Sequence, residues 1–146
     1  EEIYKQAAQK QQQAKSAKQV NGLREKYIGE MKEVIRYDNG PYIVAALASS
    51  GRMFDSLAGI FNKIPVPSGF QADEAAKYKE LIQGQVGGFM NEAKNSYKTA
   101  VDKASELEVY TPWTRVAQAG LPAHESGGAE AGEIASDARA TDWMGL

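Results

Sequence analysis

The longest periodic pattern of apolar positions in the chain runs from Ala72 to Leu107. Apolar or small side chains recur there every three or four residues, which is the spacing that one face of an α-helix requires. They are Tyr78, Ile82, Val86, Phe89, Ala93, Tyr97, Ala100, Ala104 and Leu107. The pattern predicts one helix roughly 54 Å long, at about 1.5 Å per residue. A helix of this length buries its apolar face only against other helices, so we expect the rest of the chain to supply them.

Two further helices are predicted before it. Residues 1–37 favour helix by composition, with a break or kink expected at Asn21-Gly22. The sequence Asp-Asn-Gly-Pro at 38–41 is typical of a turn in which a glycine ends one helix and a proline opens the next. A second helix is then predicted from Pro41 to Lys63.

Glycines inside the predicted helices indicate where other helices approach. Gly51 costs its helix about 1 kcal/mol relative to alanine, so we expect tight packing there. Gly84, Gly87 and Gly88 interrupt the long helix and fit either a hinge or a close helix contact. We expect the close contact.

Prolines mark the remaining boundaries. Pro65 and Pro67 make residues 64–70 an extended connector rather than a helix. A proline-rich peptide ligand is the less favoured interpretation, because the neighbouring residues are apolar. Thr111-Pro112 starts one more helix.

The charge is unevenly distributed along the chain. Residues 1–37 carry eight Lys or Arg against five acidic residues, whereas residues 120–146 carry one Arg against five acidic residues. The second segment is rich in Ala and Gly, which is typical of a flexible tail. Its apolar end makes Trp143 and Met144 candidate partner-binding residues, with docking on the chain's own domain as the alternative.

Composition excludes several kinds of chemistry. The chain has no cysteine and a formal net charge of -2, so thiolate catalysis and Cys-based metal sites are excluded and no nucleic-acid partner is indicated. Its longest apolar run, residues 42–48, is too short for membrane insertion. The single histidine, His124, follows Pro122 in the tail and is expected to be solvated. We therefore predict no catalytic residue, no cofactor and no metal, and hence no enzyme activity.

Two stretches of the chain are alike. Residues 34–46 read VIRYDNGPYIVAA and residues 105–117 read SELEVYTPWTRVA. In each, a helix ends, a turn follows, and a proline beside an aromatic residue opens an alanine-bearing helix. Pro41 and Pro112 lie 71 residues apart, which favours one helix hairpin per period and a partial second copy.

The residues of this unit resemble the tetratricopeptide repeat family over about residues 23–121. One set is similar to the first helix of that repeat, with a serine in place of a leucine, and consists of Leu47, Ser50, Gly51 and Phe54. The second helix is matched by Ala93, Tyr97 and Ala100. The segment between the two sets is about thirty residues longer than the usual repeat allows, so both helices are stretched. The stretched form, with PVPSG in the turn and AKNSYKTAVDKASELEVYTPWT after it, resembles repeats in large envelope proteins of myxobacteria and their relatives.

The prediction is therefore an all-α fold of antiparallel long-helix hairpins. A tetratricopeptide-like α-solenoid fragment is expected over residues 1–121, with an irregular tail over 122–146. The resemblance implies a non-enzymatic scaffold that binds other proteins or peptides in a multiprotein complex of the periplasm or cell envelope of a Gram-negative bacterium, with the cytoplasm as the alternative. In such repeats the first helix of each pair lines the concave surface, which implies Arg52 and Asp55 as partner contacts. Tyr42 and Trp113 are expected to be packing residues.

Two other functions stay open from the sequence. One is a structural subunit whose helices and tail mediate self-assembly into a larger complex or filament. The other is an enzyme or ligand-binding bundle, which requires a buried polar cluster built from Tyr, Asp, Glu and Lys. The chain opens in helix-forming sequence without an initiator Met, as expected of a processed protein or a piece of a longer one.

Overall fold

The computed structural model describes the backbone of residues 2–125 and the side chains of residues 11–125. Within this part of the chain the fold is all-α, as predicted, and no residue is in a β-strand. The helices are α1 (Glu2–Arg36), α2 (Gly40–Asn62), α3 (Ala72–Glu106) and α4 (Pro112–Glu125). Trp143 and Met144 lie outside the described residues.

Helix α1 is continuous through Asn21 and Gly22, where we expected a break. The residues on both sides are mostly Gln, Lys, Ala and other strong helix formers, whose combined preference outweighs the cost of one glycine. No atom lies within 4 Å of the place where a Cβ of Gly22 would be. The glycine therefore neither breaks the helix nor admits a neighbour.

The turn before α2 follows the predicted sequence signal, with one difference. The residue in the left-handed conformation is Asp38, with φ of 49°, whereas Gly40 is already the first residue of α2. Asn39 caps the helix, because its side chain accepts a hydrogen bond from the backbone N–H of Tyr42. Pro41 occupies the first turn, where its missing N–H costs no hydrogen bond.

The turn before α4 is built in a similar way. Glu108 has φ of 53°, and Pro112 begins the helix. The Thr114 hydroxyl ties the turn together, since it donates to the carbonyl of Val109 at 2.9 Å and accepts from the backbone N–H of Thr111 at 3.1 Å.

These two turns lie side by side at one end of the bundle. A Cβ at Gly40 would lie 3.1 Å from Val109 and 3.5 Å from Leu107. A side chain at Gly40 would therefore require the side chain of Val109 to shift by a few tenths of an ångström.

The core lies between α2, α3 and α4. The predicted apolar stripe of α3 is buried from Val86 to Ala104, while Leu107 is 40% exposed. At the other end of α3 the proline connector, non-helical as predicted, folds back so that the ring of Phe70 meets that of Tyr78 edge-on at 5.6 Å. Helix α1 is different, because α2 is the only one of the other described helices that it packs along.

The expected close contact at Gly84, Gly87 and Gly88 is wrong. Helix α3 continues unbroken through all three residues, which are exposed, and no other element lies within 4 Å of their Cβ positions. The glycines lie on the solvent side of the helix, away from the buried Val86 and Phe89.

Candidate functional site

Tyr97 is fully buried at the junction of α2, α3 and α4. A Cβ at Gly51 of α2 would lie 2.5 Å from its ring, and one at Gly120 of α4 would lie 2.6 Å from the other edge. No real Cβ sits so close to an aromatic carbon, so both neighbours must be glycine for the ring to fit. The tight packing predicted at Gly51 is thus confirmed, with the ring of Tyr97 as the neighbour.

The hydroxyl of Tyr97 belongs to a buried polar cluster. It donates to Oδ2 of Asp55 at 2.7 Å, and Oδ1 of the same carboxylate lies 2.7 Å from Nε2 of His124. The side chains of His124 and Asp55 are only 3% and 8% exposed. One residue comes from each of three helices, so the cluster fastens α2, α3 and α4 together.

The expectation that His124 is solvated is wrong. Helix α4 continues past Pro122 to Glu125, which carries the imidazole over Asp55. A buried carboxylate requires hydrogen-bond donors, and His124 joins Tyr97 in meeting that requirement for Asp55. No local sequence pattern indicated this contact, because His124 and Asp55 lie 69 residues apart on different helices.

The surroundings of Tyr97 keep its hydroxyl protonated. Burial, followed by the negative charge of Asp55 and the hydrogen bond to it, raises the pKa of Tyr97 far above its ordinary value. The phenol therefore stays a hydrogen-bond donor throughout the physiological pH range.

Arg52 and Asp55, the two candidate partner contacts on α2, have different surroundings. Asp55 points inward to the buried cluster, so its carboxylate is engaged within the fold. Arg52 is half-buried, and its guanidinium lies 5.8 Å from the ring centre of Trp113. Trp113 is 6% exposed, in agreement with its predicted packing role, whereas Tyr42 is 48% exposed, contrary to prediction.

An apolar groove lies between α1 and α2, on the side of α2 away from Tyr97. It encloses about 460 Å³. Its lining is mostly apolar and comprises Val20, Leu23, Tyr27, Met53, Leu57 and Ile60, together with the charged residues Arg24, Lys26 and Glu30. Leu23 is 69% exposed and Ile60 is 53% exposed, so large aliphatic groups from both helices face solvent in the same groove.

Tyr27 and Arg24 hold the α1 wall of this groove in place. Tyr27 is half-buried, its hydroxyl is hydrogen-bonded to Ser49 of α2, and burial raises its pKa. The guanidinium of Arg24 lies 5.8 Å from the ring centres of both Phe54 and Phe89, a cation–π arrangement that joins the wall to the core. These contacts hold α1 against α2 and the core, while the apolar surface of the groove stays exposed.

A second, smaller groove of about 390 Å³ lies at the α1–α2 turn. Val34, Tyr37, Asn39 and Tyr42 line it, and Tyr37 is 82% exposed. Neither groove is lined by Asp55, Tyr97 or His124.

Two structural observations concern metals and membranes. Among residues 11–125, whose side chains the structure describes, no group of three His, Cys, Asp or Glu side chains is placed to hold a metal ion. None of the helices between residues 2 and 125 combines the length and the apolar character needed to cross a membrane.

The groove residues were not singled out by sequence reasoning. Leu23 and Ile60 both belong to regular helical patterns, which predict burial but not the presence of a covering helix. Comparison of the chain with protein-family models, with curated proteins and with solved structures finds no match in any of the three. A function must therefore be inferred from the packing and the grooves themselves.

Proposed function

We propose that this chain is a non-enzymatic scaffold that binds helices of partner proteins in the α1–α2 groove. The observation that carries the proposal is the exposure of Leu23 and Ile60 on facing walls of one apolar groove. Contiguous exposed apolar surface on a folded chain is typical of protein interaction sites. A groove bounded by two helical walls suits an amphipathic helix that inserts side chains one turn apart.

The placement of the polar residues also supports a scaffold. A buried polar cluster is what the enzyme alternative requires, and Asp55, Tyr97 and His124 form one. However, both carboxylate oxygens are engaged inside the fold, and the cluster lines neither groove. Its geometry accounts for helix fastening without any substrate.

The wider setting of the scaffold follows from the family resemblance. The likeness of α2 and α3 to stretched tetratricopeptide repeats supports a place in a multiprotein complex of the bacterial cell envelope, in the periplasm. Partners in that setting are other proteins or peptides, with neither nucleic acid nor a lipid bilayer as the binding surface.

A structural subunit is the second candidate. It is favoured by α1, which packs along α2 alone among the described helices and leaves most of residues 11–19 exposed. A subunit of this kind would self-associate through its exposed helices. Light scattering on the purified chain measures this directly, because a stable oligomer without any other protein supports the subunit and a monomer supports the scaffold.

Site-specific photocrosslinking in the native cells tests the scaffold. A benzophenone amino acid at Leu23 or Ile60 is expected to crosslink to a partner protein, identified by mass spectrometry. The same group at Gln118, an exposed position of α4, serves as the matched control and is expected not to crosslink to that partner. Absence of crosslinks from both groove positions would contradict the scaffold function.

A further inference from the structure

Tyr27 and Tyr97 occupy corresponding places in two similar helices. Helices α1 and α3 are each 35 residues long, and their first residues lie 70 positions apart, as do the two tyrosines. Each helix is followed by a turn with one left-handed non-glycine residue and then by a helix with proline in its first turn.

The correspondence extends to the helix that follows. Tyr27 is hydrogen-bonded to Ser49 of α2, and the ring of Tyr97 packs on Gly120 of α4. Gly120 lies 71 residues after Ser49, the same distance that separates Pro112 from Pro41. Helix α2 thus packs on α1 at the position where α4 packs on α3.

One contact of Tyr97 has no counterpart at Tyr27 within the described residues. The ring of Tyr97 is also covered by Gly51, on the helix that precedes α3. Around Tyr27 the corresponding surface opens into the groove.

The neighbouring position shows the same difference. Leu23 corresponds to Ala93, again 70 residues later; Ala93 is fully buried, whereas Leu23 is 69% exposed. Among the described residues, the α1 surface around Tyr27 and Leu23 is therefore the exposed counterpart of the α3 surface on which α2 packs.

We propose that the groove binds a partner helix of the α2 type, with a glycine or alanine seated on the ring of Tyr27. Larger apolar residues three or four positions to either side would cover Leu23 and Ile60, in the register typical of helix-in-groove binding. The inference rests on the proposed scaffold function and names the class of helix that the scaffold takes.

The hydrogen bond of Tyr27 also indicates that the partner helix does not need a carboxylate. Asp55, four residues after Gly51, accepts the hydrogen bond of Tyr97, but the hydroxyl of Tyr27 is already bonded to Ser49. A carboxylate at the corresponding position of the partner therefore adds little. Small size at one position and apolar character around it are the main requirements, with polar residues on the partner helix where it meets Arg24, Lys26 and Glu30.

A peptide with the sequence of residues 40–62 is the probe. It carries a short lysine tail for solubility and a staple between positions 52 and 56, off the face of Gly51, because an isolated helix of this length is marginally stable. Its helicity is checked by circular dichroism, and its binding to the full chain is measured by titration calorimetry. We expect saturable one-to-one binding.

Two substitutions test whether the binding is specific. In the peptide, Gly51→Leu is expected to weaken binding about tenfold or more, because the added side chain strikes the ring of Tyr27. In the protein, Leu23→Asp is expected to weaken it by a similar factor. Tyr110→Asp is the matched control, since Tyr110 is 80% exposed and does not line the groove, and it is expected to leave binding unchanged.

Failure of this inference differs from failure of the scaffold function. No saturable binding, or equal binding of the unchanged peptide and its Gly51→Leu variant, overturns the inference, while a partner crosslinked at Leu23 leaves the scaffold standing. Should Leu23→Asp unfold the chain, Leu23→Ala replaces it and is expected to weaken binding less. A stable oligomer of the purified chain that Leu23→Asp dissociates would make a second copy the occupant, and would overturn the assignment to a partner protein.

Discussion

The surroundings of Tyr97 and Tyr27 differ although the two residues belong to similar helices. Tyr97 has helices on both sides, is fully buried between two glycines, and shares a hydrogen-bonded cluster with Asp55 and His124. Tyr27 has α2 on one side, where its hydroxyl bonds to Ser49, and faces the open groove on the other side.

A helical position thus acquires its role from the helices around it. An aromatic residue in a periodic stripe is a core residue where helices on both sides cover it, and it stays half-buried where only one of the described helices covers it. The same residue type therefore lies in the core in one half of the chain and beside an exposed groove in the other.

Truncation of the two tyrosines should give the largest contrast. Tyr97→Ala opens a cavity in the core and is expected to lower the free energy of unfolding by about 3–5 kcal/mol. Tyr27→Ala removes a half-buried side chain beside an open groove, so a loss of only about 1 kcal/mol is expected. Urea denaturation measures both. Equal losses would show that the two sites are equally packed and would break the comparison.

The next largest loss of stability is expected when the carboxylate of Asp55, which joins three helices, is removed. Asp55→Ala leaves the hydroxyl of Tyr97 and a nitrogen of His124 buried without their partner, which costs about 1–3 kcal/mol. Asp102→Ala is the matched control, because it removes only an exposed ion pair with Lys98 and should leave stability nearly unchanged. A small effect of Asp55→Ala would show that the cluster is dispensable.

Two glycines of α2 should respond in opposite directions. Gly51→Ala places a methyl group 2.5 Å from the ring of Tyr97, and Gly120 blocks the ring from moving away, so a net loss of about 1–2 kcal/mol is expected. Gly59→Ala meets no atom within 4 Å and should stabilise by up to about 1 kcal/mol through helix preference alone. Thermal unfolding of both variants tests the prediction, and stabilisation by both would mean that the ring adapts.

Raising the pH should lower the free energy of unfolding by a smaller amount, and the hydroxyls of Tyr97 and Tyr27 should contribute differently to that loss. The folded-state pKa of Tyr97 is raised, so its contribution is complete below the unfolded value of about 10 and is lost as the pH rises toward the folded pKa. Above pH 10 stability should fall by about 1.4 kcal/mol per pH unit for this residue. Tyr97→Phe should flatten the curve by that amount.

The same titration on Tyr27→Phe completes the comparison. Burial raises the pKa of Tyr27 as well, but the residue is only half-buried. We therefore expect this variant to flatten the high-pH curve less than Tyr97→Phe does. An equal effect of the two substitutions would show that the hydroxyls are equally shielded.

Much of the fold could be predicted from short stretches of sequence. The periodic stripe predicted α3 within one residue of its observed end, and the Asn39-Gly40-Pro41 signal marked the start of α2. Helix preference, capping and proline geometry act over a few neighbouring residues, so their outcome is written in short stretches of chain. Gly51 was also readable as a packing site, because a glycine inside a helix needs a compensating contact.

The candidate site was decided by tertiary structure. Tyr97 and His124 reach Asp55 from 42 and 69 residues away, and no short-range pattern records which side chains will meet across three helices. Likewise, an apolar stripe shows that Leu23 can be buried but not whether a helix is present to bury it. Local helix preference, capping and proline geometry account for most of the helix boundaries and turns. Only the packing of distant helices decided that Tyr97 is core, that His124 is buried, and that the groove beside Tyr27 stays open.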